Sequence, residues 1–122
     1  MKKFLKGFGF AFNGLKVFFK TQLNGRVHLF IAFIVIVLGF ILGISRMEWV
    51  LVILTMGMVI ITEMLNTGIE FVCNFISKEY HSEIKTIKDI SAGAVLISAI
   101  IAVTVGFIIF IPYLLELIQN IL

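Results

Sequence analysis

Residues Trp49–Ile76 read WVLVILTMGMVIITEMLNTGIEFVCNFI. The stretch is apolar enough to cross a bilayer, yet it carries Glu63, Asn66, Thr67, Glu70 and Asn74. A charged side chain at mid-bilayer costs roughly 3 kcal/mol on insertion scales, so a functional site is the default hypothesis for such a group. On a helix advancing 100° per residue, with Glu63 at 0°, Asn66 falls at about −60°, Thr67 at +40°, Glu70 at −20° and Asn74 at +20°. The five polar side chains make one stripe on an otherwise oily helix. Cys73, the single cysteine, lies off that stripe and reads as a small lipid- or helix-facing residue.

The rest of the chain has the same character. With 61% hydrophobic and 14% charged residues and a mean hydropathy of +1.15, it lies far from soluble domains, in which about 25% of residues are charged. An all-α integral membrane protein of one domain, residues 1–122, is expected, and no cleavable signal peptide is evident. Val27–Ile44 is close to the ~20 apolar residues that cross a ~30 Å hydrocarbon core. A tight connection, Ser45–Glu48, leads to the second span, 49–76. A polar loop, Ser77–Lys88, precedes the third, 90–111, with Pro112 and Tyr113 marking its exit. Six of the ten basic residues precede the first span and three lie in the second connection. The positive-inside rule therefore places the N-terminus and that loop in the cytoplasm.

Residues 1–24 form an arm of a different kind. Phe4, Phe8, Phe12, Leu15 and Phe19 share one side of a helix, and Lys6, Asn13, Lys16 and Lys20 the other, the pattern of an amphipathic helix lying in the membrane interface. Gly7 and Gly9 follow no strand and are not a nucleotide-binding glycine loop. Gly39 and Gly43 in the first span, and Ala94, Ser98, Ala102 and Gly106 in the third, are small residues spaced for close helix packing in lipid. Three spans enclose a polar stripe poorly, so oligomerisation is expected.

Glu63 and Glu70 are two turns apart, about 10 Å along the axis. Counted from Trp49 at the outer interface, Glu70 lies near the cytoplasmic boundary, where its hard carboxylate oxygens suit a divalent cation. Glu63 lies deeper and drier, the setting of a general base. Lys88 and Asp89 begin the third helix at the level of Glu70 and add a phosphate-seeking cation and a second acid. Such a set serves phosphoryl transfer to a hydroxyl in the membrane. The stripe alone also admits ion or proton conduction and plain helix packing.

The run Glu63-Met64-Leu65-Asn66-Thr67-Gly68-Ile69-Glu70, followed by Lys88-Asp89-Ile90-Ser91-Ala92-Gly93-Ala94-Val95, closely resembles the signature E-x-x-N-T-A-I-E … K-D-x-x-A-x-A-V of the small prokaryotic diacylglycerol kinase family. The resemblance extends over almost the whole chain, including the Glu79-Tyr80-His81 loop. It implies a homotrimer of three-span subunits in the bacterial plasma membrane. Such trimers phosphorylate a lipid alcohol with magnesium–ATP at sites shared between subunits, and nucleic acid is not an expected partner. By the same resemblance Glu63 matches the catalytic base and Glu70 a metal-binding glutamate. Asn66 helps arrange the site, Lys88 and Asp89 match the nucleotide-binding pair, and Glu79, Tyr80 and His81 match the loop over ATP. Phe10 stands where an aromatic often lies near the nucleotide. Two positions depart from the pattern: Gln22 stands where a second metal-binding glutamate is usual, and Asn74 where an aspartate is common. The RVH segment, the MEW connection and the IIFIP tail look like the Gram-positive branch, which favours undecaprenol over diacylglycerol.

Overall fold

The computed structural model describes residues Met1–Leu122. The chain is all α-helix: α1 (Lys2–Thr21), α2 (Leu23–Leu42), α3 (Arg46–Ile76) and α4 (Ser82–Ile121). The last three are long and apolar enough to cross a membrane. At 1.5 Å per residue α3 is about 46 Å long and α4 about 60 Å. Both are therefore long enough to extend past the hydrocarbon.

Helices α3 and α4 make the main packed pair, and three side-chain bridges give its direction. Lys88 Nζ donates to Asn74 Oδ1 at 2.8 Å. The hydroxyls of Thr62 and Ser98 meet at 2.9 Å, and Tyr113 donates to Glu48 Oε2 at 2.7 Å. As the α3 number falls the α4 number rises, so the helices are antiparallel. The small-residue stripe of the third span is used selectively: Ser98 is buried against α3, while Ala94 is exposed. Cys73 is buried, hence helix-facing.

Helix α2 runs antiparallel to α3 on a second side. Its Gly39 lets Trp49 lie against the backbone, since a Cβ there would stand 2.7 Å from Trp49 Cη2. Gly43 has another task than the packing expected of it. It adopts the left-handed conformation, φ 66° and ψ 46°, that ends α2, a geometry favouring glycine. Ser45 and Glu48 then form a reciprocal capping box that starts α3: Glu48 N–H donates to Ser45 Oγ, and Ser45 N–H to Glu48 Oε2. The first connection is therefore Gly43–Ser45, and Glu48 already belongs to α3.

Two further boundaries differ from expectation. The polar loop spans only 77–81, and Lys85, Lys88 and Asp89 lie on the first turns of α4. Their polarity resembles a loop, but an exposed helical turn tolerates it equally well. Pro112 does not end the third helix, which continues to Ile121. A proline removes only one backbone donor, and membrane helices tolerate that loss when neighbours hold the chain. Here the adjacent Tyr113 is tied to Glu48.

A one-residue elbow joins α1 to α2. Gln22 is extended, at φ −108° and ψ 113°, and Arg26 Nη1 donates to the free carbonyls of Phe19 and Lys20 at 2.9 and 2.8 Å. Phe18 is buried against Gly25, where a Cβ would lie 2.6 Å from Phe18 Cε1. Gly25→Ala is expected to destabilise the elbow by about 1–3 kcal/mol through overpacking. The check is a lower Tm in detergent, with Phe18→Ala/Gly25→Ala losing less than the two single changes together.

Only 14 of the 122 residues are buried. Most apolar side chains thus face outward, where lipid or other protein must cover them.

Candidate functional site

The polar stripe of α3 becomes a ladder leading from the interior of the helical bundle to the 77–81 turn, roughly 16 Å from Glu63 to Asn74. At its inner end Glu63 is 5% exposed and Thr67 7% exposed. Glu63 faces α2, where His28 Nε2 lies 3.3 Å from its Oε1. One turn further along, Asn66 Nδ2 approaches Glu70 Oε1 at 3.4 Å. At the outer end Asn74 accepts from Lys88. The stripe therefore meets α2 at one end and α4 at the other, and a 31-residue helix is what holds the groups in register.

Asn66 also has an unpaired atom. Its Oδ1 is buried and accepts no hydrogen bond. Buried acceptors are paired in the great majority of cases, so an orphan calls for an explanation. Asn66 lines an open cleft of about 340 Å³ between α3 and α4, beside Thr62, Ile69, Ile90 and Ser91. The cleft is lined mostly by apolar side chains, and at its edge the Asn66 amide and the neighbouring Glu70 carboxylate, 3.4 Å apart at Nδ2 and Oε1, offer hard oxygen donors. No three His, Cys, Asp or Glu side chains converge on a metal cage. The donor set still suits a hard cation that arrives with waters and phosphate oxygens of its own, since such an ion needs only one or two carboxylates from the protein.

The remaining candidates divide. Lys88 joins the ladder, but Asp89 does not pair with it: Asp89 Oδ2 takes Lys85 Nζ at 2.6 Å instead, one turn back on the same helix. Glu79, Tyr80 and His81 lie exposed in the turn, where His81 Nε2 and Ser77 Oγ are 3.2 Å apart. Phe10 is exposed on α1. Gln22 is at the elbow, its amide donating to Thr21 Oγ1 at 3.2 Å, with no hydrogen bond to Glu70. Within the chain, then, Glu63, Asn66, Glu70 and Asn74 share one stripe, which Lys88 joins through Asn74, and Phe10 and Gln22 stand outside it.

Sequence reasoning missed His28. A titratable residue at the start of an apolar span was a usable signal, but a helical wheel relates residues on one helix and says nothing of a partner on another.

Below the ladder, Met64, Gly68, Val72, Ile76 and Ile87 border an almost wholly apolar groove of about 510 Å³. The cleft beside Asn66 thus adjoins a second surface suited to hydrocarbon.

A family model described as prokaryotic diacylglycerol kinase matches residues 9–110. The undecaprenol kinase of Bacillus subtilis is 34% identical over 114 residues, covering 93% of this chain and 93% of that protein. The diacylglycerol kinase of Synechocystis sp. is 39% identical over 114 residues, covering 93% of this chain and 65% of its own. The diacylglycerol kinase of Escherichia coli K12 is 31% identical over 101 residues, 83% of either chain.

Proposed function

Since the chain belongs to the prokaryotic diacylglycerol kinase family and is a membrane lipid kinase, we propose that it transfers the γ-phosphoryl group of magnesium–ATP to the hydroxyl of a membrane lipid alcohol. Undecaprenol is the preferred acceptor in this reading, supported by end-to-end similarity to an undecaprenol kinase. Diacylglycerol is the second candidate. The observation that carries the proposal is the ladder itself: a buried carboxylate at one end and a lysine at the other, with the unpaired Asn66 oxygen and the Glu70 carboxylate between.

Each group has a role in that reaction. Glu63, shielded from water, takes the proton of the lipid hydroxyl as its oxygen attacks the γ-phosphorus. Glu70 and the Asn66 carbonyl would hold the magnesium ion that accompanies ATP, and the ion would supply neutralisation of phosphate charge. Lys88 supplies a point charge to the phosphates, and its partner Asn74 is neutral, so none of that charge is cancelled. Asp89, Tyr80, His81 and Glu79 border the nucleotide at the exposed end, and Phe10 reaches it from α1. The apolar groove beside Gly68 and Val72 accepts the lipid tail. Helix α1 lies in the cytoplasmic interface on its phenylalanine face; Phe4 and Phe8 already pack edge to face at 5.1 Å. Three subunits assemble, covering the exposed apolar surface and bringing Phe10 and Gln22 of one copy toward another's ladder.

The test is to incubate the purified protein with labelled ATP, magnesium and either undecaprenol or diacylglycerol. Phosphorylated lipid is expected, more from undecaprenol. No labelled lipid from any alcohol would leave the ladder as a conduction path or a packing device.

Gln22 allows a narrower check. If it faces the cation beside Glu70 in the assembled enzyme, Gln22→Glu adds a charged oxygen ligand. Half-maximal activity is then expected at lower magnesium, with the apparent lipid affinity unchanged. Superimposable magnesium titrations of the two proteins would place any second carboxylate ligand elsewhere.

A further inference from the structure

Glu63 is the most enclosed charged side chain of the molecule, and one polar group of the chain approaches it: His28 Nε2, 3.3 Å from Oε1. The separation is just beyond the ~2.7–3.2 Å of a well-formed N–H···O bond, and the pair is not aligned as a hydrogen bond, so one of the two side chains must turn to make it. Catalytic hydrogen bonds are often long before substrate binds and tighten afterwards. The two residues sit on different helices, so the contact is set by the α2–α3 seam and not by local sequence. The nearest cation on the same helix, Arg26, is engaged with the carbonyls that end α1.

A carboxylate acting as a base in an apolar setting has two needs. It must be fixed within a fraction of an ångström, because its three rotatable bonds otherwise scatter it. It also needs a donor in place of the water it has lost. The imidazole meets both. We propose that His28 is the positioning residue for Glu63, donating its Nε2–H to Oε1 and leaving Oε2 free for the lipid hydroxyl. In the step itself the alcohol O–H bond breaks and its proton goes to Oε2. The alcohol oxygen bonds to the γ-phosphorus of ATP, and the bond from that phosphorus to the bridging oxygen breaks to release ADP. His28 keeps its own proton throughout. The inference rests on the reading of Glu63 as the base.

The experiment compares His28→Leu, His28→Gln and Glu63→Gln with the parent enzyme in one lipid–detergent mixture, measuring kcat, the KM for ATP and Tm. His28→Leu is expected to lower kcat roughly 10–100-fold, the scale of a misplaced catalytic group, with the KM for ATP within about twofold. His28→Gln is expected to recover most of that loss, because a glutamine amide nitrogen reaches the position of imidazole Nε2. A purely structural staple would instead lower Tm and kcat together, with Gln no better than Leu, and that result overturns the proposal. An unchanged kcat in His28→Leu, beside an inactive Glu63→Gln, would overturn it while sparing the role of Glu63. Full turnover in Glu63→Gln would remove both.

Discussion

Glu63→Gln is expected to lower lipid phosphorylation by about 10²–10⁴-fold, the usual contribution of a positioned general base, while the helices stay assembled. The side chain is 5% exposed and its one close polar neighbour is His28. An amide of nearly the same shape is less costly to hold in an apolar setting than an ionised carboxylate, so Tm should hold or rise. The amide oxygen can still meet the imidazole N–H, which preserves the α2–α3 seam. What the amide cannot do is accept the lipid proton. The measurement is kcat at saturating ATP and lipid, paired with a thermal melt. Near-normal turnover would return Glu63 to a packing role; loss of activity together with a much lower Tm would point the same way.

Lys88→Met is expected to reduce kcat/KM for ATP roughly 10–100-fold, the equivalent of the ~1.5–3 kcal/mol carried by one hydrogen bond to a charged group. Methionine keeps the length and apolar stem of the side chain and removes only the ammonium. The structural cost should be small, because the bond lost, to Asn74 Oδ1, lies at an exposed site. The lipid dependence should change little, since Lys88 stands at the opposite end of the ladder from Glu63. An unchanged KM for ATP and an unchanged kcat would reduce Lys88 to one of the cations that orient the chain in the membrane.

Several features of the site are legible in the sequence. Glu63, Asn66, Glu70 and Asn74 share a face because a helix has a fixed angular step, and the apolar residues between them require that helix. The basic residues before the first span and in the second connection lead to the expectation that the Lys88 end of the ladder meets the cytoplasm. Boundaries are less legible. Pro112 and the polar 82–89 segment both resemble helix ends, yet α4 runs through both. Local preference is overridden there by the pairing of α4 with α3 along three bridges.

By itself, the sequence determined the class of this protein and the polar stripe of α3, since both follow from periodicity and hydropathy acting along one segment. Only the tertiary structure decided which groups meet: His28 with Glu63, Lys88 with Asn74, and Asp89 with Lys85 instead of Lys88. It also assigned the glycines, Gly25 and Gly39 to close contacts with aromatic rings and Gly43 to a left-handed turn. The physical reason is that the partners of a helix are chosen by its rotation and axial offset against its neighbours. In lipid these are set by close packing and a few interhelical hydrogen bonds, and no one-dimensional period encodes them.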